Sequence, residues 1–254
     1  MPTAPGPAAL VIGGGRGIGA AVVDALAATG LNVTFTYRSA PDAEARRAAL
    51  AARFPTQAFA AQPLDLADRE AVETFASVLE ESPPLATLVH VAGTTYDRLA
   101  AMMEQDPAEA LMQVNFWSFA RLARAAVRPM TRARSGRIIA IGSVVGQQAS
   151  QGNAAYGASK AALAAYVRTL ALETAKRGVT VNCIAPGFVD TDMIAAFATY
   201  RKATEARVPA GRYATPQEIA AVAAFLASPG ASYVTGTVIP VDGGLTASLG
   251  IPRS

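Results

Sequence analysis

A chain of 254 residues that is 52% apolar and 16% charged can bury a large core and is too apolar to stay disordered. A formal charge of +3 without a long basic run excludes the electrostatic footprint of a nucleic-acid-binding protein, and no apolar run approaches the roughly 20 residues of a membrane helix. One cysteine (Cys183) and one histidine (His90) exclude an internal disulfide framework and a histidine-rich metal site, so no metal is expected.

The opening MPTAPGPAAL lacks a basic segment followed by an apolar one and does not read as a secretory signal. A cytoplasmic location is expected, with residues 1–7 as a flexible tail. Short apolar runs then alternate with Ala-rich helical stretches. AALVI (8–12), LNVTFTY (31–37), TQAFAAQ (56–62), LATLVHV (85–91), GRIIAIG (136–142), VTVNCIA (179–185) and TVIPV (237–241) read as strands. Several are apolar at consecutive positions, as strands covered on both faces are. Two helices carry start signals, Asp106-Pro107-Ala108-Glu109 and Thr215-Pro216-Gln217-Glu218. Each places a capping residue, then Pro at the first helical position, then an acid able to reach back. This alternation predicts an α/β, Rossmann-type doubly wound fold: a mainly parallel seven-stranded sheet with helices on both faces, in one domain over 1–254. Cys183, inside an apolar strand, reads as a buried and inert thiol.

The first strand runs directly into GGGRGIG (13–19), which opens a helix near Gly17. Gly13, Gly15, Gly17 and Gly19, with Arg16 and Ile18 between them, let the backbone turn tightly and bring free N–H groups to a diphosphate. The second strand ends in Thr36-Tyr37-Arg38-Ser39, without the acid that usually holds the ribose hydroxyls of NAD. Arg38 and Arg16 instead offer directed donors to a 2′-phosphate, so NADP(H) is the expected cofactor.

Cationic positions are filled by nineteen arginines and only three lysines, one of which is Lys160 in AAYGASK (154–160). On a helix it shares a face with Tyr156, four residues earlier. Ser143 follows the strand GRIIAIG, at the carboxyl end where open α/β sheets bind ligands. A phenol with an ordinary pKa near 10 exchanges its proton more readily beside an ammonium, and a hydroxyl such as Ser143 can hold a carbonyl oxygen.

GGGRGIG, the set Ser143, Tyr156 and Lys160, Asn115 within a helix, and Pro186-Gly187 after a strand resemble the short-chain dehydrogenase/reductase family over residues 8 to 245. GRIIAIGSVVG, VTVNCIAPGFVDTDM, VPAGRYATPQEIA and VTGTVIPVDGG are most similar to its 3-oxoacyl-[acyl-carrier-protein] reductases. The resemblance implies that Tyr156 gives the proton, Lys160 also binds the nicotinamide ribose, and Asn115 holds a water that resupplies the proton. It places Asp65 beside the adenine, Val91-Ala92-Gly93 close to the cofactor through the main chain, and Thr191 at the carboxamide with Val189 nearby, and it counts Leu66, Pro186 and Gly187 among the cofactor-binding residues. It implies an acyl carrier protein as the carrier of substrate, with Arg134 and Arg177 at docking positions beside Arg132, and a homotetramer for which Phe116, Trp117, Phe119 and Tyr166 offer either apolar surface or core. Residues 190–212 read as a lid.

The family pattern is not met everywhere. His90-Val91 replaces a usual Asn-Asn, and His90 reads as a structural replacement for the lost amide. Ile12 stands where Thr is usual, which removes a local hydrogen bond. These departures suggest a reductase of a polyketide or aryl-polyene type pathway. Two other readings are a reductase of a sugar, a steroid-like alcohol or a quinone, and a non-catalytic NADP-binding scaffold. The complete Asn115, Ser143, Tyr156 and Lys160 set disfavours the scaffold, since a pure binder needs no proton donor.

Overall fold

Strands β1 (Ala8–Ile12), β2 (Asn32–Tyr37), β3 (Phe59–Pro63), β4 (Thr87–His90), β5 (Gly136–Ile141), β6 (Val179–Pro186) and β7 (Val238–Val241) pair in parallel. Their order in the sheet is β3-β2-β1-β4-β5-β6-β7. The computed structural model describes residues 6–39, 41–195 and 200–248. The number of strands and their parallel pairing agree with the sequence reading. The third begins later than expected because the main-chain N–H of Gln57 turns back to the Phe54 carbonyl and that of Ala58 goes to the Asn32 side chain.

Side chains alternate across each strand, so consecutive apolar residues feed two cores. Leu10 and Ile12 face α3 (Arg69–Glu81), α5 (Ser118–Ala133) and α6 (Ala154–Thr174). Ala9 and Val11 face α1 (Gly17–Ala28), α2 (Ala43–Arg53) and α9 (Pro216–Ala227). Leu10, Phe119 and Leu122 are wholly buried, and each such side chain contributes about 1.5–3 kcal/mol.

The start signal of α9 forms as read: the Thr215 hydroxyl accepts from Glu218 N–H, the Glu218 carboxylate accepts from Thr215 N–H, and Pro216 leads the helix. The other start signal does not form as read. Helix α4 runs Gln105–Met112 after Glu104, with no side-chain cap. Asp106 and Pro107 both fall within the first turn, where a missing N–H breaks no helical bond. Glu109 accepts from the Gln105 side chain instead of reaching a cap. A π-helical turn, Gln113–Trp117, then joins α4 to α5 and directs Asn115 inward, fully buried.

β2 and β4 flank β1, so the chain leaves β1 and β4 toward opposite sides of the sheet. The crevice outside their carboxyl ends is where open α/β sheets hold a ligand.

Candidate active site

The glycine loop occupies that crevice. Gly13 has φ 84°, and a Cβ there would lie 2.8 Å from Ala92, at the end of β4. A Cβ on Gly19 would come within 1.9 Å of the Gly13 carbonyl oxygen, so the loop closes on α1 only with glycine present. Gly13 N–H donates to the Thr36 hydroxyl at 3.0 Å and Gly14 N–H to the Thr36 carbonyl at 2.8 Å. Thr36 thus secures the loop from β2, although Ile12 offers no hydroxyl. Arg16 precedes α1 without capping it, so no side chain competes with an anion for the first N–H groups.

At the other end of the crevice, Tyr156 stands in the first turn of α6 with Lys160 one turn on. The Lys160 ammonium lies 5.7 Å from the Tyr156 ring centre. Ser143 follows β5; its hydroxyl accepts from Val145 N–H at 3.2 Å and acts on the Tyr156 phenol. The short 3-10 turn Val144–Gly146 sets that meeting, because a Cβ on Gly146 would lie 2.8 Å from the Lys160 carbonyl carbon. Lys160 is 4% exposed and donates to the Ile141 carbonyl at 3.0 Å, leaving two N–H donors. Burial pushes its pKa down to about 8. The phenol differs from expectation: burial holds its pKa above the ordinary value, Ser143 pulls it down, and the Asp97 carboxylate pushes it further up. The ammonium beside the ring does not overcome this in the free protein.

Asn115 clamps three elements. Its Oδ1 accepts from Thr94 N–H at 2.8 Å, and its Nδ2 donates to the Thr94 carbonyl at 2.9 Å and to the Ser159 hydroxyl at 3.1 Å. Both donors are consumed, so further contact falls to the second lone pair of Oδ1. A Cβ on Gly93 would sit 3.3 Å from Lys160 Nζ and 3.4 Å from Asn115 Oδ1, which leaves bare backbone facing both groups.

His90 is 1% exposed and lies 3.1 Å from the Ser118 hydroxyl through Nε2. That hydroxyl already donates to the Val114 carbonyl, so the imidazole carries its proton on Nε2. Burial first, then the charge of Lys160, pushes its pKa down to about 3. His90 is a neutral tie between β4 and the start of α5. Cys183 is also buried, its thiol pushed up to about 11 by burial.

Tyr37 is half-buried, and Arg38 and Ser39 are exposed at the end of β2. Arg16 is exposed and lies 3.8 Å from Asp192, in the first turn of α7 (Asp192–Ala195). Gly15 and Ile18 are partly buried in the loop, as are Val91, Ala92 and Gly93 after β4. Asp65 is exposed and accepts from Ala67 N–H, while Leu66 is buried and gives its carbonyl to Gln113. Pro186 ends β6, Gly187 packs on Asp242, Val189 bridges to Ala214, and the Thr191 side chain lies 3.4 Å from where a Gly17 Cβ would stand. Gly14, Thr36, Gly146 and Asp97 escaped the sequence reading. A Gly14 Cβ would strike Phe35 at 2.5 Å, and the run GSVVG is the one local sign of Gly146.

Residues 13–246 match the family described as enoyl-(acyl carrier protein) reductase. The chain belongs to the short-chain dehydrogenase/reductase family. It is 41% identical over 242 residues to the 3-oxoacyl-[acyl-carrier-protein] reductase FabG of Vibrio cholerae, covering 94% of this chain and 97% of that one. To the FabG of Escherichia coli it is 42% identical over 245 residues, with the same coverage of both. A proposed NAD(P)-dependent gluconate 5-dehydrogenase from Beutenbergia cavernae, solved with bound NADP, is 37% identical with a TM-score of 0.90, over 97% of this chain and 98% of that one.

In this short-chain dehydrogenase/reductase, Arg132, Arg134 and Arg177 are exposed, and Arg134 donates to the Lys176 carbonyl. Arg134 closes α5 just before β5, and Arg177 follows α6 just before β6. They lie at the amino end of the strands, opposite Ser143 and Tyr156. The 21-residue α6 separates Tyr156 from Arg177 by about 30 Å. Of the expected aromatic surface, Phe119 is wholly buried, Phe116 and Tyr166 are half-buried, and Trp117 is 53% exposed. Among the described residues no helix is long and apolar enough to cross a membrane.

Proposed function

We propose that this chain reduces a 3-oxoacyl thioester, carried on acyl carrier protein, to the 3-hydroxyacyl product with NADPH. The observation that carries the reading is the convergence of Ser143 and the Lys160 ammonium on Tyr156, the ammonium 5.7 Å from its ring centre. NADPH supplies the hydride. The residues present fit it: a bare-backbone glycine cradle, open N–H groups at α1, two free donors on Lys160, and Arg38 and Arg16 at the 2′-phosphate end. Pro186, Gly187, Val189 and Thr191 border the nicotinamide end, and Asp65 and Leu66 the adenine end.

The residues of the chain supply the rest. Ser143 and Tyr156 converge on one point and hold a carbonyl oxygen there. Tyr156 gives that oxygen a proton as hydride arrives at carbon. Lys160 steadies the phenolate left behind, and Asn115 Oδ1 accepts from a water that returns the proton. The lid over 190–212 includes α8 (Arg201–Glu205), which Arg201 ties to Asp190 through two hydrogen bonds of 3.0 and 3.1 Å. Residues 196–199 of the lid lie outside the described residues.

The substrate class rests on the relatives that are 41–42% identical. A carrier docked on Arg134 and Arg177 serves the active site of a neighbouring copy in a tetramer, since both arginines stand at the far end of the sheet from Tyr156. A sugar carbonyl is the second reading, favoured by the gluconate dehydrogenase likeness. NADPH oxidation with acetoacetyl thioester and with a keto-sugar acid separates the two. Brisk turnover of the sugar acid alone rejects the acyl assignment. Tyr156→Phe is expected to keep NADPH binding and lose most of the rate. Near-normal turnover in that variant rejects the proton-donor role.

A further inference from the structure

The segment after β4 is joined to the start of α6 by bonds that helix formation does not require. Asn153 immediately precedes α6, where an Asn side chain ordinarily accepts from a first-turn N–H. Here it caps nothing. Its Nδ2 donates to Asp97 Oδ1 at 2.6 Å, while Arg98 N–H donates to the Gly152 carbonyl at 2.8 Å. Arg98 and Asn153 also pair as an isolated parallel bridge. The Asn153 carbonyl accepts from Gly157 N–H at 2.7 Å, so the same residue starts the helical turn that carries Tyr156.

We propose that Asp97 is a positioning residue for the proton donor, holding the first turn of α6 through Asn153 and presenting a negative charge toward the Tyr156 phenol. This rests on the reading of Tyr156 as proton donor. The groups around the phenol are Ser143 from the end of β5, Lys160 from the next turn of α6, and Asp97 from the segment after β4. His90, from β4, interacts with Lys160 and is neutral. Asp97 is therefore the negative charge in this set, and it favours the protonated phenol, the form a reduction consumes. The acid that orders the helix start also keeps the donor loaded.

The test titrates the phenolate absorbance of Tyr156 in the NADP⁺-bound enzyme. It is isolated as the difference between proteins with and without Tyr156→Phe. Asp97 is exposed and its charge is screened, so Asp97→Asn is expected to move the midpoint to lower pH by about half a unit. The alkaline limb of NADPH-dependent reduction moves with it, because the protonated donor is lost at lower pH. Asp97→Glu, which keeps the charge, retains the wild-type midpoint. An unchanged midpoint in Asp97→Asn, or an equal shift in Asp97→Glu, overturns the proposal. The titration reads the phenol and not turnover, so a failure of the donor reading (full rate in Tyr156→Phe) is seen separately.

Discussion

Replacing Lys160 by Met should make the free protein more stable while removing its activity. The ammonium is 4% exposed, and burial pushes its pKa from 10.5 to about 8. At about 1.4 kcal/mol per pH unit, keeping it charged costs the fold roughly 3 kcal/mol. Methionine has nearly the same length and no charge. The Ile141 carbonyl loses its donor, which offsets about 1 kcal/mol, so a net gain of about 2 kcal/mol is expected at pH 7. The sign with pH follows from the lowered pKa. Between about 8 and 10.5 the unfolded chain binds more protons than the folded one, so wild-type stability rises with pH across that window. The advantage of Lys160→Met therefore shrinks over the same range. Urea unfolding without dinucleotide, at pH 7 and again near pH 10, measures both quantities. A Lys160→Met protein less stable than wild type at pH 7 would refute the argument, because the buried charge would then not be a cost.

Gly19→Ala should abolish dinucleotide binding, read by NADPH fluorescence, since its Cβ would sit 1.9 Å from the Gly13 carbonyl oxygen. Arg38→Ala should raise KM for NADPH about tenfold or more while sparing NADH, because only the former carries the 2′-phosphate that Arg38 is placed to meet. Arg134→Glu with Arg177→Glu should slow turnover of the protein-carried thioester and leave the coenzyme A thioester unaffected. Equal slowing of both rejects carrier docking at these arginines.

How far the sequence could be read depended on how far apart the interacting residues lie. GGGRGIG and Tyr156-x-x-x-Lys160 each lie within one loop or one helical turn, where spacing is geometry. The strand runs were readable because burial on both faces demands consecutive apolar residues. Contacts between distant segments were not readable. His90 meets Ser118 28 residues on, and Asp97 meets Asn153 56 residues on; no periodicity announces either partner. The Asp106-Pro107 signal misled because Pro suits any position in a first turn, so the motif fixed the helix without fixing its first residue. The phenol was misjudged for a related reason. Lys160 was visible one turn away, while the burial that outweighs it belongs to the assembled crevice.

Thr36 has a consequence for redesign. Its hydroxyl and carbonyl together hold Gly13 and Gly14, so the strand that bears Arg38 and the loop that cradles the diphosphate are one mechanical part. An engineer who grafts an acidic strand end to exchange one dinucleotide for the other has a boundary here. Positions 38 and 39 are exposed and can be traded, but a graft that takes Thr36 as well unfastens the cradle whose preference it was meant to change.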